Sequence, residues 1–194
     1  MLRVAVLVSG SGTNLNAILS EKAKGHLKKS EIVCVISNKK NAYALEIAKK
    51  YGVKTYYIEC SNQITFENKL LNILNIEEIQ LVVLAGFLKI LSSSFIISFN
   101  KSIINVHPAL IPSFCGKGYY GLKVHQAALD KGVKVSGATV HFVNEIPDGG
   151  KIILQKAVEV KKGDSAETLQ KRIMEEAEWV LLPKAIDLLS KEEL

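Results

Sequence analysis

Short apolar runs alternate with longer stretches of helical periodicity through the first half of the chain. Residues 4–8 form an unbroken apolar run and read as a buried strand. A turn rich in Gly, Ser and Asn follows, a helix opens near Asn14, and residues 32–36 are strand again. Asn41 stands where it can cap a helix that ends before Gly52. Residues 55–58 form a third strand, 66–74 a helix, and 81–85 and 103–106 two further strands. This alternation predicts βαβ units, and hence an α/β, doubly wound, mostly parallel sheet.

The pattern changes after Val106. Residues 107–121 hold two prolines and three glycines and predict a long loop. A helix over 124–129 follows, then strands over 135–143 and 152–160, joined by residues 144–150 as a late antiparallel hairpin. Residues 165–189 predict a C-terminal helix, with Ser165 and Thr168 as capping choices and Pro183 as a kink or interruption. No repeat, linker or low-complexity tract divides the chain, so one domain over 1–194 is expected.

Composition adds mainly exclusions. A chain of 194 residues can bury a core without staples. Its three cysteines, Cys34, Cys60 and Cys115, include no close pair, which points to a reducing, cytoplasmic setting. The first nine residues are too short an apolar run for a secretory signal or a membrane span. The formal charge of +6 is carried largely by dispersed lysine pairs such as Lys28-Lys29 and Lys161-Lys162. Without a basic stripe interleaved with aromatics, the charge reads as solvated faces or attraction of small anions, and no nucleic-acid or membrane partner is expected.

Three motifs can carry chemistry. Ser9-Gly10-Ser11-Gly12-Thr13-Asn14 lies between a strand and a helix, where glycines let backbone N–H groups approach a phosphate at a helix N-terminus. It is neither the dinucleotide fingerprint, since Leu15 takes the third glycine position, nor a Walker A loop, and an ordinary tight turn stays open. Asn105 and His107 stand two apart at a strand end and so share a face, where an amide donor and an imidazole can meet one reacting carbonyl. A capping Asn and a structural His are the alternative. Asp148-Gly149-Gly150 places a carboxylate on a turn, where it can raise and orient a nearby histidine, although Asp-Gly is also a common hairpin turn.

The other histidines carry less. His26 sits in a lysine-rich stretch, His125 on a helix without a partner at useful spacing, and His141 inside a strand. No clustered His/Cys set suggests a metal, and a nucleophilic Cys115 near His107 is the less favoured reading.

Taken in order, Val8 with the glycine turn and Leu15, then Leu84-Ala85-Gly86-Phe87-Leu88-Lys89-Ile90-Leu91, then Asn105-Val106-His107-Pro108-Ala109-Leu110-Ile111-Pro112, then Gly137 to Val143 and Asp148-Gly149-Gly150, resemble the glycinamide ribonucleotide formyltransferases of purine synthesis. The resemblance covers nearly the whole chain. It implies transfer of a formyl group from 10-formyltetrahydrofolate, a co-substrate, to the amine of glycinamide ribonucleotide, without a metal. It further implies that Asn105, His107 and Asp148 are the catalytic trio. Gly12, Thr13 and Asn14 match positions that hold the ribonucleotide phosphate, Gly86 one beside the glycinamide arm, and Glu178 a glutamate near the substrate amine or ribose. Leu88, Lys89, Ile90, Leu91 and Asn105 match the folate site. On this likeness, residues 1–106 form a nucleotide-binding half and 107–194 a folate and catalytic half, in a monomer or homodimer.

Two departures qualify the likeness. A family arginine falls close to Gln63 or Ile64, neither of which is cationic, and the stretch around residues 175–179 is one residue longer than the usual spacing. Two related activities, hydrolysis of formyltetrahydrofolate and formylation of methionyl-tRNA, go with an added N-terminal or C-terminal domain, and the length of this chain argues against both. A non-catalytic nucleotide-binding module leaves the ordered Asn105, His107 and Asp148 unexplained.

Overall fold

The computed structural model describes residues 1–192. Its sheet contains β1 (Leu2–Val8), β2 (Ser30–Ser37), β3 (Lys54–Tyr57), β4 (Leu81–Leu84), β5 (Ser102–His107), β6 (Val135–Phe142) and β7 (Ile152–Glu159). Spatial order is β3-β2-β1-β4-β5-β6-β7. Strands β1 to β5 pair in parallel, and β6 and β7 add antiparallel.

The helices are α1 (Thr13–Ala23), α2 (Tyr43–Lys50), α3 (Gln63–Ile76), α4 (Ser93–Phe99), α5 (Leu122–Lys131), α6 (Ala166–Ile173) and α7 (Trp179–Lys191). They cover both faces of the sheet, which is why β1 is apolar at every central position. Val4, Val6 and Val8 point into a core shared with α1, α2, α6 and α7. Ala5 and Leu7 point the other way, into a core closed by Phe66 and Leu70 of α3 and Phe95 and Phe99 of α4. Among the described residues, no helix is long and apolar enough to cross a membrane.

The doubly wound architecture and the late hairpin agree with the sequence pattern, and four local features differ from it. Asn41 does not cap α2: the flanking residue is Ala42, without a side-chain bond, and the Ala44 N–H is satisfied by the carbonyl of Gly10 at 3.1 Å. A tertiary contact with the glycine turn does what a cap would do. Helix α4 was not expected. Its serine-rich start resembles a loop, yet Ser92 caps it by accepting from the Phe95 N–H at 3.1 Å, and Phe95 and Phe99, one turn apart, anchor it.

Pro183 does not interrupt the last helix, since α7 runs through it. The irregularity lies earlier, in a π-helical turn at Met174–Glu178. A π-turn accommodates one extra residue without ending the helix, which fits the lengthened spacing read there. Ser165 and Thr168 form a reciprocal capping box at the start of α6, as the pattern suggested.

Candidate functional site

The sheet order reverses between β1 and β4, because β1 leads outward to β2 while β4 continues on its other side. In open α/β sheets, ligands bind at the carboxyl ends of the strands beside this switch. The turn after β1, the segment after β4 and the end of β5 all lie there.

The turn after β1 is built to leave backbone donors open. Gly12, at φ 77°, precedes α1 without a side-chain cap, and no acidic residue occupies the first turn. A Cβ on Gly12 would sit 2.7 Å from the Cα of Ala44, so only glycine fits the approach to α2. Asn14 is buried, and its Nδ2 donates to Oε2 of Glu178 at 2.7 Å, while its Oδ1 has no partner. The π-turn carries Glu178 inward to 7% exposure, and burial pushes its carboxyl up from the ordinary value against the opposing bond from Asn14. Thus Asn14 and Glu178, far apart in sequence, meet beside Gly12 and Thr13. A groove of about 600 Å³ opens next to this turn, lined by Ser11, Thr13, Tyr43, Tyr51, Lys50 and Trp179 among others.

The segment after β4 is held from three sides. Ser9 Oγ accepts from the Leu88 N–H at 3.0 Å and donates to Asn38 Oδ1 at 2.8 Å, tying together the turns after β1, β2 and β4. Buried Glu67 accepts from the Ser92 N–H at 2.7 Å and the Ser92 hydroxyl at 2.6 Å, and also from Gln63, whose Nε2 donates to the Ile90 carbonyl at 3.0 Å. Gln63, one of the two residues near which a family arginine was expected, therefore serves as a brace. Leu88 and Ile90 stay 71% and 70% exposed, whereas Leu91 turns into the core. Lys89 lies with its ammonium 5.6 Å from the Phe66 ring centroid. Gly86, at φ 70°, faces open space. Sequence reasoning missed the brace, because a glutamate in a helix gives no sign of being buried.

At the end of β5, Asn105, His107 and Asp148 do come together. Thr139 on β6 fixes the loop after β5: its hydroxyl donates to the Ala109 carbonyl at 2.7 Å and accepts from the Ile111 N–H at 3.1 Å. His107 Nε2 lies 2.8 Å from the Phe114 carbonyl, which can only accept, so Nε2 carries the proton and the neutral ring keeps its lone pair on Nδ1. That Nδ1 is 3.6 Å from Oδ2 of Asp148. Asp148 has φ 56°, a left-handed conformation at the hairpin turn, and its Oδ2 also accepts from the Gly116 N–H at 2.8 Å.

The electrostatics partly reverse the expectation. Burial lowers the pKa of His107, and the Asp148 charge and the Phe114 carbonyl, which raise it, do not fully compensate. The carboxylate acts in the expected direction, but desolvation is larger. Burial likewise pushes Asp148 up, yet the Gly116 N–H and the nearby imidazoles hold it below the ordinary carboxylate value. The site at neutral pH thus presents an ionised carboxylate beside a neutral base.

A second imidazole belongs to this cluster. His141, buried on β6, lies directly opposite Asn105 in the antiparallel register, with Nε2 3.3 Å from Asn105 Nδ2 and 3.6 Å from Asp148 Oδ1. It was set aside in the sequence as a strand residue. Cys115 is not suited to nucleophilic attack: burial and the Asp148 charge push its thiol pKa up, and its Sγ donates to the Pro112 carbonyl at 3.2 Å. Among the described residues, no group of three His, Cys, Asp or Glu side chains is placed to hold a metal ion.

A half-buried amide, a neutral imidazole and an ionised carboxylate at a sheet switch point, beside a turn of free backbone donors, can serve acyl transfer to an anionic substrate. The chain belongs to the formyl transferase family, whose profile matches residues 2–186. Within it the likeness is to enzymes acting on phosphoribosylglycinamide. The chain is 38% identical to the phosphoribosylglycinamide formyltransferase of Haemophilus influenzae, over 96% of its own length and 86% of that protein. The crystal structure of glycinamide ribonucleotide transformylase 1 from Symbiobacterium toebii superimposes with a TM-score of 0.91 at 39% identity, over 99% of this chain and 89% of that one. The trifunctional purine biosynthetic protein adenosine-3 of Bos taurus is 41% identical over 97% of this chain, which spans only 18% of that longer protein.

Proposed function

We propose that the chain transfers the formyl group of 10-formyltetrahydrofolate to the amine of glycinamide ribonucleotide in a cytoplasmic setting, all three elements of the chemistry lying in one domain. The observation that carries this reading is the convergence of Asn105, His107 and Asp148 at the end of β5. The backbone donors of Gly12, Thr13 and Asn14 hold the substrate phosphate at the N-terminus of α1. Glu178, oriented by Asn14, faces the ribose or amine, and Gly86 leaves room for the glycinamide arm. The pterin rests against Leu88, Lys89, Ile90 and Leu91, where exposed apolar side chains alternate with backbone edges.

The neutral amine attacks the formyl carbon, a C–N bond forms, and the carbonyl oxygen takes up negative charge. Asn105 donates to that oxygen. The proton lost by the attacking nitrogen passes to Nδ1 of His107, the unprotonated nitrogen of the neutral ring, and Asp148 stabilises the imidazolium. The same proton is delivered to N10 of the folate as the C–N10 bond breaks, releasing tetrahydrofolate. Proton and formyl group exchange places between the two nitrogens, and no covalent enzyme intermediate is needed.

The test is to mix the purified protein with 10-formyltetrahydrofolate and follow tetrahydrofolate release with and without glycinamide ribonucleotide. Release that depends on the amine, with Asn105→Ala slower by about a hundredfold or more, is the expected result. Release without the amine marks a hydrolase. Binding of the ribonucleotide without any release marks a nucleotide-binding module.

A further inference from the structure

His141 has no part in the reaction as written, yet its side chain, 2% exposed, sits within reach of two groups that do. Its position follows from topology. β6 runs antiparallel to β5, and His141 is the direct partner of Asn105, so the two side chains rise on the same face of the sheet at the separation where cross-strand pairs interact.

The ring is fixed at its other end. Nδ1 lies 2.8 Å from the Phe142 carbonyl, an acceptor without a proton, so Nδ1 must carry the hydrogen. The neutral ring then offers Nε2 as an acceptor. Asn105 Nδ2, at 3.3 Å, supplies the donor. Asp148 Oδ1, at 3.6 Å from the same nitrogen, has no proton to give when ionised and does not compete for the lone pair.

A carboxamide can be placed with its oxygen and nitrogen exchanged, and only one placement offers N–H groups to a developing oxyanion. We propose that His141 is the positioning residue for Asn105: by accepting one of the two Nδ2 hydrogens it selects that placement and directs the second hydrogen to the reacting carbonyl. The inference rests on the transfer reaction proposed above. Asn105 is the group that touches the substrate, and His141 acts through it.

Because His141 works through Asn105, its removal should matter only while Asn105 is present, and a double-mutant cycle reads this directly. His141→Met keeps the bulk of the side chain and removes the acceptor. It should lower kcat about tenfold or more while changing the KM for each substrate by less than about threefold. In an Asn105→Ala background, the same substitution should change kcat by less than about twofold. His141→Gln, whose amide oxygen can accept from Asn105, should recover most of the lost turnover. An equal loss in both backgrounds, or a Gln variant no better than Met, overturns the proposal.

A second measurement needs no variant. In the uniformly ¹⁵N-labelled wild type, a nitrogen–nitrogen coupling across the Asn105 Nδ2–H···Nε2 His141 bond is expected, and its absence counts against the assignment even if the Met variant fails to fold. A wild type that does not transfer formyl groups would end the proposed function, whereas the coupling tests the side-chain pair alone.

Discussion

His125 on α5 is completely buried, and neither of its ring nitrogens has a partner. Burial, with a further contribution from nearby His107, pushes its pKa down to about 4 from an ordinary value of 6.5. In the unfolded chain the ring charges near pH 6.5, while in the folded protein it stays neutral until about pH 4. Below the unfolded value the unfolded state therefore binds the extra proton, and stability falls as pH falls through this window. Between about pH 7.5 and about pH 5 the loss from this one residue is about 2 kcal/mol, and it levels off near 3 kcal/mol at about pH 4 and below. His125→Leu removes the titration while filling a similar volume. Urea unfolding of both proteins at the two pH values should show the wild type losing about 2 kcal/mol more than the variant on acidification. The contribution of Asp148 is common to both and cancels in the comparison. Equal acid losses would mean that the imidazole is charged or hydrated in the folded state, and the argument from burial would be wrong.

Asp148→Asn removes the charge that raises His107, so the imidazole pKa falls further and the acid limb of the kcat/KM profile moves to lower pH; an unmoved limb removes Asp148 from the mechanism. Glu67→Ala leaves the Ser92 N–H without its acceptor and takes one of two from the Gln63 amide, which should raise the KM for the folate about tenfold and lower stability by about 2 kcal/mol, with the KM for the ribonucleotide unchanged. Gly12→Ala drives a methyl group against α2 at a positive φ; a stability loss of about 2 kcal/mol and weakened ribonucleotide binding, read by urea unfolding and calorimetry, are expected.

Much of the architecture was legible because it rests on periodicity. A strand buried on both faces must be apolar throughout, so residues 4–8 declared themselves, and the antiparallel hairpin showed as two β-branched runs around an Asp-Gly turn. What stayed hidden depends on contacts between distant segments. The start of α2 is satisfied by Gly10 of another turn, and no local pattern reveals that. Helix α4 is short and begins in a serine run, and its stability comes from two phenylalanines docking into a core closed by α3. The π-turn left only an indirect mark, a spacing one residue too long, which cast doubt on Glu178 although the turn is what points Glu178 at Asn14.

The site divides along the same line. Asn105 and His107 lie on one strand, and the period of two places them on a common face from sequence alone. Asp148 could be suspected from its turn, but only the fold brings its carboxylate to 3.6 Å from both His107 and His141. His141 could not be found this way, since its partner stands across a strand pair whose register no local signal fixes. That register has a consequence for the whole arrangement. The sheet changes from parallel to antiparallel at β5, and the antiparallel neighbour places His141 squarely opposite Asn105. The loop after β6 folds back so that the Asp148 carboxylate stands between the two imidazoles. Shifting β6 by one residue would turn His141 and Thr139 to the opposite face, removing the acceptor for Asn105 and the clamp on the loop after β5 together.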